Sequence, residues 1–173
     1  MITIHFDGSC SPTNPGFTGG IGAVINLNGE KRTISKQVKS SFIISNNVTE
    51  YMALVAALEL LLAKGLEQEQ VQVYGDSALV IHQMQGLMNI GKGFYVEQAL
   101  KCRKLVGKFK NIKFQWIPRE MNAEADMLAD MRRRKQQVNN GEKTVKQRKF
   151  VEKIVTCERR VRKLNKEYQD VCA

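Results

Sequence analysis

The sequence predicts an α/β fold on a five-stranded sheet, antiparallel in its first half and parallel in its second. Three observations carry this. Alternating apolar and polar residues at the N-terminus run into two further strand segments around an Asn-Gly turn. Helical periodicity then takes over for a long stretch. Beyond it strands and helices alternate, which calls for crossover connections and therefore parallel pairing.

In MITIHF, Ile2, Ile4 and Phe6 alternate with Thr3, His5 and Asp7, the period of a half-buried strand with Asp7 on its polar side. GGIGAVINLNGEKRTISKQVKSSF supplies two strands joined at Asn28-Gly29, a dipeptide suited to a tight hairpin. Helical spacing of apolar residues runs from Val48 to Lys64, and Gly65 stops it. QVQVYG is a β-rich strand ending at Gly75. A helix from Ser77 to about Met88, another from Phe94 to Phe109, the strand IKFQWI and a short helix from Asn122 onward complete a body of residues 1–134. Residues 135–173 read as a linker and a basic amphipathic helical tail.

Several classes are excluded. Glu59 interrupts the longest apolar run, so nothing reaches the roughly 18 residues of a membrane span, and no membrane association is expected. The first residues carry no basic region followed by an apolar run, so a cytoplasmic protein is expected, or a nuclear one in a eukaryote. Cys10, Cys102, Cys157 and Cys172 form no CxxC pair, and His5 and His82 have no third metal-type partner, so zinc is not expected and free thiols suffice. Charge is unevenly placed: residues 1–130 hold 13 Lys and Arg against 12 Asp and Glu, whereas the remainder holds 14 against 5. A near-neutral body with a basic tail suggests a polyanionic partner, nucleic acid before acidic membrane.

Four carboxylates stand where such a fold gathers side chains. Asp7 ends the first strand, Asp76 ends the fourth, Glu50 opens the long helix and Asp126 lies in the last one. In open α/β sheets, sites form at the carboxyl ends of strands. Glu50 also has a purely local reading, because it follows Asn47 by three residues and would complete a capping box. Carboxylates that converge repel unless a cation joins them. Oxygen donors without Cys or His favour Mg²⁺ or Mn²⁺, and a pair of such ions is a common device for cleaving phosphodiesters.

FDGSCSPTNPGFTGGIGAVI, NNVTEYMAL, YGDSALVIHQM and REMNAEADMLA resemble, in order and spacing, the four blocks of the type 1 ribonuclease H family, over residues 1 to about 130. The resemblance implies a ribonuclease H-like mixed sheet and hydrolysis of the RNA strand of an RNA–DNA hybrid, leaving 5′-phosphate and 3′-hydroxyl ends. It puts Asp7, Glu50, Asp76 and Asp126 at the family's catalytic, metal-binding positions, with two Mg²⁺ per site and Mn²⁺ as a substitute. Glu50 can serve both as a helix-start residue and as a ligand. By the same resemblance Gly8, Ser9, Cys10, Asn14, Asn46 and Asn47 contact the hybrid. Against this stand local readings: Asn14 as a turn residue before Pro15, Asn46 and Asn47 as caps, and Gly19, Gly20 and Gly22 as sites of close packing. Cys10 has nothing nearby in sequence to activate it as a nucleophile.

Two departures place the chain in a branch of that family. Where many members have a loop histidine, this chain has WIPREMN; Arg119 there can grip phosphate but, always protonated, cannot act as a general base. A surface ion pair is the other reading of Arg119. The basic protrusion of some members is also missing, and Lys101, Arg103, Lys104, Lys108 and Lys110 read as the solvated face of a helix. Trp116 reads as packing rather than a base-stacking platform.

In the tail, Phe150, Ile154, Cys157, Val161, Leu164, Tyr168 and Val171 form a heptad seam among Arg148, Lys149, Arg159, Arg160, Arg162 and Lys163. Contact with nucleic-acid phosphates, self-association or docking on a partner through that seam, and an ordinary solvated helix are the readings it supports. RRRK at Arg132 to Lys135 fits a nuclear-localisation cluster or nucleic-acid binding. From a different functional class, the alternative to an enzyme is a non-catalytic nucleic-acid-binding or scaffold module with the same fold. The presence of all four carboxylates speaks against it.

Overall fold

The computed structural model describes residues 1–11 and 13–137, with side chains described up to residue 130. The heptad seam and the RRRK side chains lie outside the described residues. Five strands, β1 (Ile2–Cys10), β2 (Gly16–Leu27), β3 (Glu30–Ile44), β4 (Gln70–Gly75) and β5 (Asn111–Trp116), form one sheet in the order β3-β2-β1-β4-β5. The helices are α1 (Asn46–Ala63), α2 (Ala78–Gln85), α3 (Val96–Val106) and α4 (Ala123–Gln137), the last entered through a 3-10 turn, Arg119–Asn122.

The first three strands are antiparallel, and β1, β4 and β5 are parallel, as the element order requires. Asn28 and Gly29 both adopt positive φ, 52° and 102°, and turn the chain between the paired Leu27 and Glu30. Ile2, Ile4 and Phe6 point to one face of β1. There they meet Tyr51, Leu54, Leu58 and Leu61 of α1 and Val71 and Val73 of β4 in one buried cluster. Helix α1 buries Ala53, Val55 and Ala57 as well, so it is covered on most of its circumference, which is why its sequence is apolar almost throughout.

On the other face α4 lies against β2 so closely that only glycine fits beneath it. A Cβ on Gly20 would stand 2.0 Å from the main-chain oxygen of Ala129, and one on Gly22 2.3 Å from that of Ala125. Gly20 and Gly22 are therefore a seat for this helix.

Several boundaries differ from expectation, each for a local reason. Strand β1 continues beyond Asp7 to Cys10 because Gly8, Ser9 and Cys10 stay paired with Ile21, Gly20 and Gly19, so Asp7 lies within the strand and does not end it. Helix α2 stops at Gln85, three residues early, where Gly86 takes a left-handed φ of 78°. Helix α3 is confined to Val96–Val106 and closes at Gly107. The last helix is not short but 15 residues long. Among the described residues, no helix is long and apolar enough to cross a membrane.

Candidate active site

The parallel pairing of β1 with β4 sets His5 beside Tyr74, so Asp7, still within β1, and Asp76, just past β4, each two residues further on, stand side by side where that pairing ends. Gly8 brings in the third element. A Cβ there would lie 2.1 Å from the main-chain nitrogen of Glu50, so the absence of a side chain lets α1 cross β1 at contact distance. Asp126, in the first turn of α4, arrives through the glycine seat on β2.

The carboxylates feel one another's charge: Asp7 is coupled to Asp76 and Asp126, and Glu50 to Asp7 and Asp76. Asp7 is only 7% exposed, and its carboxyl is pushed up to about 7, first by burial and then by the charges of Asp76 and Asp126. Burial likewise pushes Glu50 up to about 7; a hydrogen bond from Ser77 opposes the shift, and the charges of Asp7 and Asp76 add to it. Glu50 Oε2 is buried without a hydrogen-bond partner. Asp76 is held at two points: Trp116 Nε1 donates to its main-chain oxygen at 3.0 Å, and Asn122 Nδ2 donates to Oδ1 at 2.7 Å. Arg119 donates to Asp126 Oδ1 at 2.6 Å while its own side chain is 74% exposed.

The expected capping box is not formed. The N-cap of α1 is Ser45, so Asn47 is the second helical residue and Glu50 sits in the second turn, too far along to reach back. The first free amide is met from a distance instead, Asn46 N donating to Asn14 Oδ1 at 3.1 Å. This frees the Glu50 carboxylate from a capping role.

All four donors are carboxylates, which suits a hard divalent cation, and the buried like charges and the partnerless Oε2 are features that such an ion relieves. Even so, no three His, Cys, Asp or Glu among the described residues stand close enough to hold an ion between them. Arg119 and Asn122 each take up a carboxylate oxygen.

The expected substrate-contact residues serve the framework around the site. Ser9 Oγ donates to the Ala129 oxygen at 3.3 Å. Cys10 N donates to Asn46 Oδ1 at 2.8 Å, while the buried Cys10 thiol lies among the carbonyls of Thr13, Thr18 and Ile44. Burial pushes this thiol up to about 11, in keeping with its expected lack of nucleophilic character. Asn47 is partly exposed on the first turn of α1. Lys101, Arg103, Lys104, Lys108 and Lys110 are all exposed, but only the first three lie on α3; Lys108 and Lys110 follow its end at Val106. Trp116 is half-exposed and anchors Asp76. Sequence reasoning missed Asn122 and Ser77. The only hint of Asn122 was its position four residues before Asp126 in the last block.

The family described as reverse transcriptase-like matches residues 5–132. A bifunctional protein of Mycobacterium tuberculosis is 30% identical over 129 residues, covering 75% of this chain and 34% of its own length. A ribonuclease HI of Halobacterium salinarum is 30% identical over 129 residues, covering 75% of this chain and 62% of its own. Among solved structures, LC11-RNase H1 from compost, in complex with RNA/DNA hybrid, superposes with a TM-score of 0.67 at 34% identity, covering 76% of this chain and 95% of that one. The chain thus spans about a third of the length of the first curated relatives it matches. Its strand order and the match across most of its length agree: this chain belongs to the reverse transcriptase-like family and has the ribonuclease H fold.

Proposed function

We propose that this chain is an endoribonuclease that hydrolyses the RNA strand of RNA–DNA hybrids, leaving 5′-phosphate and 3′-hydroxyl ends. The observation that carries this reading is the convergence of Asp7, Glu50, Asp76 and Asp126 from β1, α1, β4 and α4 on one acidic site. Asp7 and Glu50, Asp76 and Asp126 would hold two Mg²⁺ ions, or Mn²⁺ in their place. When bound, such ions supply Lewis-acid activation of the attacking water and of the departing 3′-oxygen. Asp7 is the most central of the four, coupled to Asp76, Asp126 and Glu50, and would be shared between the two positions.

Arg119 lies at the open rim of the site and remains cationic, so it would neutralise phosphate charge there without exchanging protons. Gly8, Ser9, Cys10, Asn14, Asn46 and Asn47 cluster where β1 meets α1. Their main-chain and amide groups would line the shallow minor groove of the hybrid, where the 2′-hydroxyl separates RNA from DNA. That LC11-RNase H1 was solved with a hybrid supports this choice of substrate. The basic tail would add sequence-independent phosphate contacts, and its seam a route to self-association or partner docking.

A non-catalytic hybrid-binding module is the second reading, favoured by the lack of any ion-sized cluster among the described residues. One experiment separates the two: cleavage of 5′-labelled RNA in RNA–DNA, RNA–RNA and DNA–DNA duplexes, with Mg²⁺, Mn²⁺ or EDTA, for wild type and Asp76→Asn. Cutting of the hybrid alone, dependent on metal and lost in the variant, is expected. Hybrid binding without cutting in either metal would establish the binding module instead.

A further inference from the structure

Asn122 is 1% exposed at the end of the 3-10 turn, and its Nδ2 reaches two acceptors: the main-chain oxygen of Phe6 at 2.9 Å and Asp76 Oδ1 at 2.7 Å. A primary amide nitrogen carries two protons, one for each acceptor, and among neutral side chains only Asn and Gln can do this from one atom. The connections matter. Phe6 immediately precedes Asp7, Asp76 follows β4, and Asn122 itself stands four residues before Asp126. One buried atom therefore ties together the three segments that carry three of the four carboxylates.

The other end of the same amide is left wanting, because Asn122 Oδ1 is buried with no hydrogen-bond partner. A buried acceptor without a partner is unfavourable, so what justifies an amide here is its donor end. Being neutral, it can hold a carboxylate inside the protein without burying a second charge. It also engages a single oxygen of Asp76, leaving the other available for ligation.

We infer that Asn122 is a positioning residue for the carboxylate site: it orients Asp76 and clamps it to the strand that bears Asp7, thereby setting the affinity of the site for divalent cations. This rests on the ribonuclease reading above only for its kinetic consequence. The test uses the 173-residue chain freed of metal, titrated with Mn²⁺ by electron paramagnetic resonance, for wild type, Asn122→Ala and Asn122→Ser. Loss of a hydrogen bond that orients a ligand typically weakens metal affinity by about 10- to 100-fold, and a drop of that size is expected in Asn122→Ala. Asn122→Ser keeps one donor proton and should lose less; it also decides the matter if the alanine variant does not fold. In hybrid cleavage the loss should fall on kcat, with KM for hybrid unchanged.

Because Asn122 acts through Asp76, removing it in an Asp76→Asn background should cost little further Mn²⁺ affinity. The inference is overturned if the variants melt earlier yet bind Mn²⁺ as wild type does, or if the losses simply multiply in the double variant. Should wild type bind Mn²⁺ and hybrid but cut nothing, the ribonuclease reading falls, while the Mn²⁺ titration still decides the role of Asn122.

Discussion

Replacing Gly8 with alanine should damage the site through a contact that no change to the carboxylates would reveal. The added Cβ would sit 2.1 Å from the nitrogen of Glu50 and 2.2 Å from the carbonyl carbon of Thr49, both main-chain atoms that cannot rotate away. Ordinary contact begins at 3.4 Å, so α1 must retreat from β1 by about 1.3 Å or the strand must buckle by as much. Overpacking of this kind typically costs about 1–3 kcal/mol, and a clash with backbone on both sides belongs at the upper end. The same displacement carries Glu50 away from Asp7. A misplacement of about 1 Å in a catalytic constellation can cost on the order of 100-fold in rate. Urea unfolding and kcat/KM on a labelled hybrid measure the two effects in the same preparation. An unchanged urea midpoint would refute the close-approach argument. A lowered midpoint with kcat/KM intact would show that the crossing at Gly8 does not set the position of Glu50.

Other expectations follow from the same physics. Asp7 and Glu50 rise to about 7 from ordinary values of 3.8 and 4.5, so between those limits the folded chain binds more protons than the unfolded one. In EDTA, unfolding free energy should therefore fall as pH rises from 5 to 8, by on the order of 5 kcal/mol for the two groups together, and Mg²⁺ should restore it; stability that climbs over that range would contradict the assignment. Tyr51→Phe removes the 2.5 Å hydrogen bond to Gln83 Oε1 and leaves that buried acceptor bare, at about 1–3 kcal/mol in urea unfolding with little change in cleavage. The Cys10 thiol, buried and pushed up to about 11, should resist Ellman's reagent in the native chain at pH 8 and react once the chain is unfolded; rapid native labelling would show that the β1 end opens.

The alternation of Ile2, Ile4 and Phe6, the Asn28-Gly29 hairpin, the stop at Gly65 and the order of strands and helices are legible along the chain, because these depend on neighbours a few residues away. So are the four carboxylates, since four ordered blocks are a pattern in one dimension. What surrounds them comes from packing between distant segments. The capping box at Asn47 and Glu50 was chemically sound by spacing, yet the start of α1 is tied by Asn14 from 32 residues away, and its helix begins too early for that box. The glycines of the first block looked alike in sequence. In space Gly8 admits α1, whereas Gly20 and Gly22 seat α4 on the opposite face, because successive residues of a strand point to opposite sides. Asn122 carries little local signal beyond its place four residues before Asp126: its worth lies in reaching Phe6, 116 positions away, and Asp76, 46 positions away, and contacts of that separation exist only once the sheet has formed.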